Sequence, residues 1–252
     1  NTNRIQGYVQ NSFNITQSDK YELKLMGGVR LHHWTYNNET KISPRFQIFY
    51  QPLAWKKEFT FKISGGVYNQ PAFYRELRRP AGSINSNIRA QKSTHLVLGM
   101  SHDFYMKKIS RSKFRLITEL YYKKLDDLIS YEIDNVRIRY SGENDASGYV
   151  AGLDFRINGE FVPGAESWIN VSLLAAKERL NGVEHLRGSF TDTIPQVVSF
   201  VPRPTDRLFN LSMFFQDYLP SNEEFKMSLN LTFGSGLPCG VKDNNRIYRT
   251  AF

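Results

Sequence analysis

Apolar and polar residues alternate with a strict two-residue period in ten segments of the chain, most clearly between Tyr21 and Thr35. There Tyr21, Leu23, Leu25, Gly27, Val29 and Leu31 share one parity, opposite Glu22, Lys24, Gly28, Arg30 and His32. Successive side chains of a strand point to opposite faces, so the pattern predicts a sheet with one apolar and one polar face. Phe59, Phe61, Ile63, Gly65 and Val67 repeat it against Thr60, Lys62, Ser64 and Gly66. Leu153 and Phe155 do so against Asp154 and Arg156, and Phe225 to Phe233 against Lys226, Ser228, Asn230 and Thr232.

The segments run to roughly 9 to 14 residues, against about 5 to 6 for an ordinary globular strand. At about 3.3 Å per residue and a tilt near 45°, roughly ten residues cross the ~25 Å apolar band of an outer membrane. Charges such as Arg30, Lys62, Glu119, Asp154 and Arg156 sit in mid-segment, where a packed core rarely accepts them. The connections alternate: tight turns at 17–20, 53–57, 107–112, 163–167 and 220–223, then connections at 37–41, 71–89, 126–146, 177–203 and from Ser235, all but the first of them long. Transmembrane barrels combine periplasmic turns with extracellular loops in the same way.

The fold predicted is therefore all-β: one antiparallel up-and-down transmembrane β-barrel domain over 1–252, with about ten strands present. Leu23, Leu25, Val29, Phe61, Ile63, Leu153, Phe155, Leu211, Leu229 and Leu231 are expected to face lipid. Lys24, Arg30, Lys62, Arg115, Glu119, Asp154, Arg156 and Lys226 are expected to face a polar lumen. No linker or low-complexity tract divides the chain.

Aromatic residues make up 14% of the sequence, and Trp34, Tyr36, Tyr50, Tyr68, Phe104, Tyr105, Phe161, Trp168, Phe214 and Tyr218 fall near segment ends. They predict interfacial girdles, although β-propensity alone also favours aromatics. The net charge of +9 is spread along segments and loops and forms no basic run with interleaved aromatics, so nucleic acid is not an expected partner. Cys239 is the only cysteine, which rules out an intrachain disulfide and a multi-cysteine metal site.

Candidate chemistry is sparse. Adjacent His32 and His33 point to opposite faces of a strand, so no metal site is expected. No nucleophile elbow or other catalytic signature is present, and neither catalysis nor a cofactor is expected. Asp126 and Asp127 lack the spacing of a calcium loop. The Asn-x-Ser/Thr sequons at Asn14, Asn38, Asn170, Asn210 and Asn230 mostly fall inside strands. Within the long loops, Phe73, Tyr74, Arg75, Arg78 and Arg79 combine aromatic surfaces with forked cations suited to sugars, phosphates or carboxylates.

Several stretches resemble the C-terminal barrel half of TonB-dependent outer-membrane receptors of the Bacteroidetes type. They are Glu119-Leu-Tyr-Tyr-Lys-Lys-Leu-Asp-Asp-Leu-Ile129, Gly152-Leu-Asp-Phe-Arg-Ile-Asn-Gly-Glu-Phe161, Pro202-Arg-Pro-Thr-Asp-Arg-Leu-Phe209, Phe214-Phe-Gln-Asp-Tyr-Leu-Pro220 and Phe233-Gly-Ser-Gly-Leu-Pro238. The resemblance implies a barrel of about 22 strands, an N-terminal plug, and uptake of a scarce nutrient powered by the TonB complex. Against that pattern the plug, its TonB-contacting segment and the closing strands are missing. The chain opens at Asn1 without a methionine and ends at Arg249-Thr-Ala-Phe252 like a loop entering an eleventh strand, so it is expected to be a fragment or a processed piece. Its expected partners are outer-membrane lipid, the plug and remaining strands, the TonB complex and an unidentified small nutrient. Two other readings stay open: a structural or adhesive barrel complete at ten strands, and a soluble β-sandwich.

Overall fold

A computed structural model describes residues 2–134, 137–162, 164–187, 196–219, 222–238, 242–243 and 246–248. Ten long strands form one antiparallel sheet in which each strand pairs with the next. They are β1 (Arg4–Gln17), β2 (Tyr21–Trp34), β3 (Glu39–Pro52), β4 (Glu58–Gln70) and β5 (Gln91–Tyr105), followed by β6 (Lys113–Leu128), β7 (Ala146–Val162), β8 (Ala165–Leu180), β9 (Phe209–Leu219) and β10 (Asn222–Gly234). The two-residue strand Val201–Pro202 adds to β8 at Lys177 and Glu178. Among the described residues nothing pairs with the outer side of β1 or β10.

The predicted alternation of turns and loops is present. Strands β1–β2, β3–β4, β5–β6, β7–β8 and β9–β10 are joined at one end by short connections, while 71–90, 129–145 and 181–208 lie at the other. The bounds shift by a few residues at several junctions, two of them with a structural consequence. Strand β8 resumes at Ala165, so the 163–167 turn is only two residues long; strand β6 runs on to Leu128 through a bulge where Asp127 takes φ 53°. The bulge re-aims the chain into the loop layer, and Arg89 holds Asp127 there at 2.7 Å.

Register aligns the faces. Phe13, Leu25, Ile48, Ile63, Leu98, Leu120, Leu153, Leu173 and Phe209 are successive cross-strand partners from β1 to β9. The opposite face has its own row, Asn14, Lys24, Phe49, Lys62, Gly99, Glu119, Asp154, Ser172, Asn210 and Gly234. A one-residue slip at any pair would swap the faces, so a row this long fixes the register of the whole sheet. Pro44 lies within β3 opposite Val29, and the β3–β4 ladder stops next to it at Arg45 and Gly66. Proline has no N–H to donate, and the Asn69 side chain instead donates to the Ile42 carbonyl at 3.2 Å and to Ser43 Oγ at 3.1 Å.

The sheet is a single layer, and its buried apolar clusters gather at the loop end. Trp34, Ala72, Leu77, Ile88 and Ile129 form one, with Tyr36 and Tyr140 packed against it. Leu125, Leu128, Ala146, Leu180 and Val201 form the other, with Val150, Val183 and Val198. Trp34, Leu125, Val150 and Leu180 share the parity of the polar face. The loops therefore fold over the polar face.

A second, small sheet lies in the loop region. Glu184–Arg187 pairs antiparallel with Gln196–Val197 and parallel with Arg246–Tyr248, which also pairs with Lys242–Asp243. The chain after β10 thus returns to the 181–208 loop, and no eleventh long strand exists among the described residues. Cys239 and Arg249–Phe252 lie outside them.

Candidate functional site: two faces and an arginine cleft

On the apolar face, aromatic rings form a continuous belt near the short turns. From Tyr21 it passes through Tyr50, Phe61, Phe59, His102, Phe104, Phe114 and Phe161 to Phe215, with neighbouring centroids 4.1 to 6.5 Å apart. Trp55, in the 53–57 turn, adds edge contacts to Phe59 and Phe61. Toward the loops the same face ends in the cross-strand row Thr94, Lys124, Tyr149 and Lys177. Between belt and row, no Asp, Glu, Lys or Arg lies on this face of the described strands. On β6, ten residues separate Phe114 from Lys124. At ~3.3 Å each and a tilt of about 35–45°, they span about 23–27 Å.

All the residues expected to face lipid lie on this face. Leu25, Ile63 and Leu153 belong to the long apolar row. Leu23, Phe61, Phe155 and Leu211 fall in the adjacent row, Val29 opposes Val9, and Leu229 and Leu231 oppose Phe215 and Met213. The girdle expected from sequence is only partly the observed belt. Tyr50, Phe104 and Phe161 belong to it, whereas Trp34 and Tyr36 are packed in the loop layer and Trp168, Phe214, Tyr68, Tyr105 and Tyr218 take the polar parity. Nearness to a strand end identified them, but parity decides the face.

The polar face carries the residues expected to line a lumen, most of them in specific contacts. Lys62 on β4 pairs with Glu119 on β6, reaching across β5 at Gly99. A Cβ on Gly99 would stand 3.1 Å from Lys62 Cε, so glycine keeps that path open. Arg115 makes a two-pronged ion pair with Asp103, both arms 2.7 Å. Arg156 donates to Asn158 at 2.8 Å and covers the Trp168 ring, while Arg30 donates to Gln6. Lys226 lies over Tyr218, and Asp154 and Lys24 flank this set in the central polar row. Together these side chains make the face hydrophilic from strand to strand.

At the loop end the structure builds a cleft of about 860 Å³ lined by Tyr74, Arg75, Arg78, Arg79, Pro80, Arg137, Ile138, Arg139 and Tyr140. It brings together Tyr74, Arg75, Arg78 and Arg79 of the predicted cluster. Phe73 is exposed and does not line the cleft; its N–H donates to Glu76 at 2.7 Å, which fixes the turn that presents Tyr74 and Arg75. The second wall was not singled out from sequence. It is a hairpin, Tyr131–Asp134 with Arg137–Tyr140, inside what reads as one long loop. The alternation Arg137-Ile138-Arg139-Tyr140 was its available signal, since residues two apart on a strand share a side.

The two walls are clamped from behind. Asn85 donates to the Gly142 carbonyl at 2.7 Å and to Glu143 at 2.8 Å, and Arg79 Nε donates to the same carboxylate at 2.5 Å. Asn144 donates to the Arg89 carbonyl at 3.0 Å and to the Asp127 carbonyl at 2.7 Å, tying both loops to the end of β6. Gly142 takes φ +73°, and a Cβ there would lie 2.9 Å from the Arg79 nitrogen. Burial pushes the Tyr140 phenol above its ordinary value, Glu76 and Tyr131 push the same way, and Arg75 opposes them.

Comparison with models of known protein families and with curated proteins returned no significant match.

Proposed function

We propose that this chain is a section of the wall of an outer-membrane transport barrel, in which the apolar face meets lipid, the polar face lines the passage and the loop layer captures ligand outside. The resemblance to TonB-dependent receptors makes energised uptake of a scarce nutrient the best-supported activity. A plug and further wall strands would then be partners at the polar face and the open edges.

The observation that carries this reading is the charge-free band between the aromatic belt and the Thr94–Lys177 row. A single-layer sheet in water would leave that band uncovered, and soluble monomers rarely expose apolar patches beyond a few hundred Å². Lipid covers it at the matching thickness. A barrel complete at ten strands requires β1 to pair with β10, and no such pairing exists among the described residues.

The test uses single cysteines on a Cys239→Ser background in intact cells. Cysteines at Pro80 or Ile84 are expected to react with a membrane-impermeant maleimide, and one at Lys56 only after the outer membrane is breached. The protein should also remain with outer membranes after alkaline carbonate extraction, and disruption of its gene should abolish energy-dependent uptake of its nutrient. Equal labelling at both ends, or release by carbonate, would refute the membrane assignment.

A further inference from the structure

We propose that the cleft between residues 74–80 and 137–140 binds a small soluble ligand carrying two or more oxyanionic groups, phosphate or carboxylate in chemistry. This deepens the loop-capture role proposed above and rests on it. Five arginines line one cleft; Glu143 engages Arg79, and Arg139 has a contact of its own. Arg75, Arg78 and Arg137 form no ion pair among the described residues. Like charges gathered this way repel one another and are favoured when an anion joins them. Guanidinium presents a flat fork of donors that matches the two oxygens of a phosphate or carboxylate, which makes it a recognition group as well as a charge.

Geometry sets the number of anionic groups and the size of the ligand. Arg75 and Arg78 come from one wall and Arg137 from the other, so a ligand that satisfies both must present charge in two directions. The cleft volume of about 860 Å³ lies within the range of small-molecule sites, about 300–1,000 Å³. Tyr74 and Tyr140 line its two walls, Tyr74 held by Thr2 at its hydroxyl and by Arg4 over its ring, and Tyr140 packed on the Trp34 cluster. The clamp through Asn85, Gly142 and Glu143 holds the walls together without ligand, which lowers the ordering cost of binding.

The experiment is a titration of the intact outer-membrane protein, extracted in detergent, with tripolyphosphate, citrate and neutral maltotriose. Tripolyphosphate and citrate should bind, with affinity falling as salt rises, while maltotriose should not. Combining Arg78→Gln with Arg137→Gln should weaken tripolyphosphate binding at least tenfold and leave the heat-modifiable mobility of the folded protein unchanged. The corresponding double lysine variant keeps the charge, loses the fork, and should fall between. Maltotriose binding as tight as tripolyphosphate, or a glutamine pair that binds like the parent, overturns the proposal. Displacement of tripolyphosphate by purified lipopolysaccharide overturns the soluble ligand in favour of a lipid headgroup. Failure here is separable from failure of the transport reading: a membrane-inserted chain that ignores both anions sinks this inference alone, and a chain released by carbonate that still binds them sinks the transport reading alone.

Discussion

Leu120→Arg separates lipid from water as the neighbour of the apolar face. Leu120 lies on β6 between Leu98 and Leu153 in the long apolar row, four residues from the charged row at Lys124 and six from Phe114 in the belt. Its side chain is 54% exposed, so arginine fits without displacing packed atoms. If water covers this face, an exposed leucine exchanged for arginine should change stability by no more than about 0.5 kcal/mol. If lipid covers it, an arginine near mid-bilayer should cost about 2–4 kcal/mol. The ranges do not overlap. Reversible urea titration in phospholipid vesicles, followed by heat-modifiable gel mobility, measures the difference. Glu119→Gln is the control on the opposite face; it breaks the partly exposed pair with Lys62 and should cost about 1 kcal/mol or less. A Leu120→Arg protein as stable as the control would refute the assignment of the apolar face to lipid.

Four further outcomes follow from the same geometry. Gly99→Val should sever the Lys62–Glu119 contact across β5 and cost about 1–2 kcal/mol in the same titration, through overpacking beside Lys62 Cε. Gly152→Val should cost more than a valine at an open strand position, because its Cβ would sit 2.3 Å from the Tyr121 hydroxyl; Tyr121→Ala in the same chain should recover part of the loss. Gly142→Val combines a positive φ with a backbone clash, so it should expose the 71–90 and 129–145 loops to protease in whole cells while the strands stay protected. The raised Tyr140 value fixes the sign of a pH effect: its contribution to loop stability is present below the ordinary tyrosine value of about 10 and is lost as pH rises through the raised one. Ultraviolet difference titration against Tyr140→Phe should show one phenol ionising late, and an unchanged curve would refute its burial.

Strands were legible because a two-residue period is local. Leu153, Asp154, Phe155 and Arg156 announce two faces without reference to any other part of the chain, and the order of turns and loops follows from where that period breaks. The loop layer was not legible for the opposite reason. Trp34, Ala72, Leu77, Ile88 and Ile129 come from the end of β2, the 71–90 loop and the residue that follows β6, with no shared period, and only packing brings them together. The cleft shows both cases: Arg75, Arg78 and Arg79 are close in sequence and stood out, whereas Arg137 and Arg139 reach them through the clamp at Asn85 and Glu143. The aromatic belt was legible only in part, since strand-end position marked Tyr50, Phe104 and Phe161 while ignoring the parity that sends Trp168 and Phe214 to the polar face.

The two halves of the structure are held together by different forces. A sheet one layer thick has no interior, and in β1, Tyr8 and Val9 are each 78% exposed, so strand cohesion rests on ladder hydrogen bonds and cross-strand pairs until something covers the apolar face. The loop end has its own interior, with Trp34 and Ile88 fully buried and Glu178 paired to Arg203 at 3.1 Å where the 181–208 loop crosses β8. The wall therefore depends on its surroundings for stability, whereas the loop layer carries its own packing and can keep the arginine cleft in shape. Ligand recognition placed on such a layer needs the strands chiefly as an anchor at β2, β6, β7 and β8, the strands whose polar-parity residues Trp34, Leu125, Ala146 and Leu180 enter its clusters.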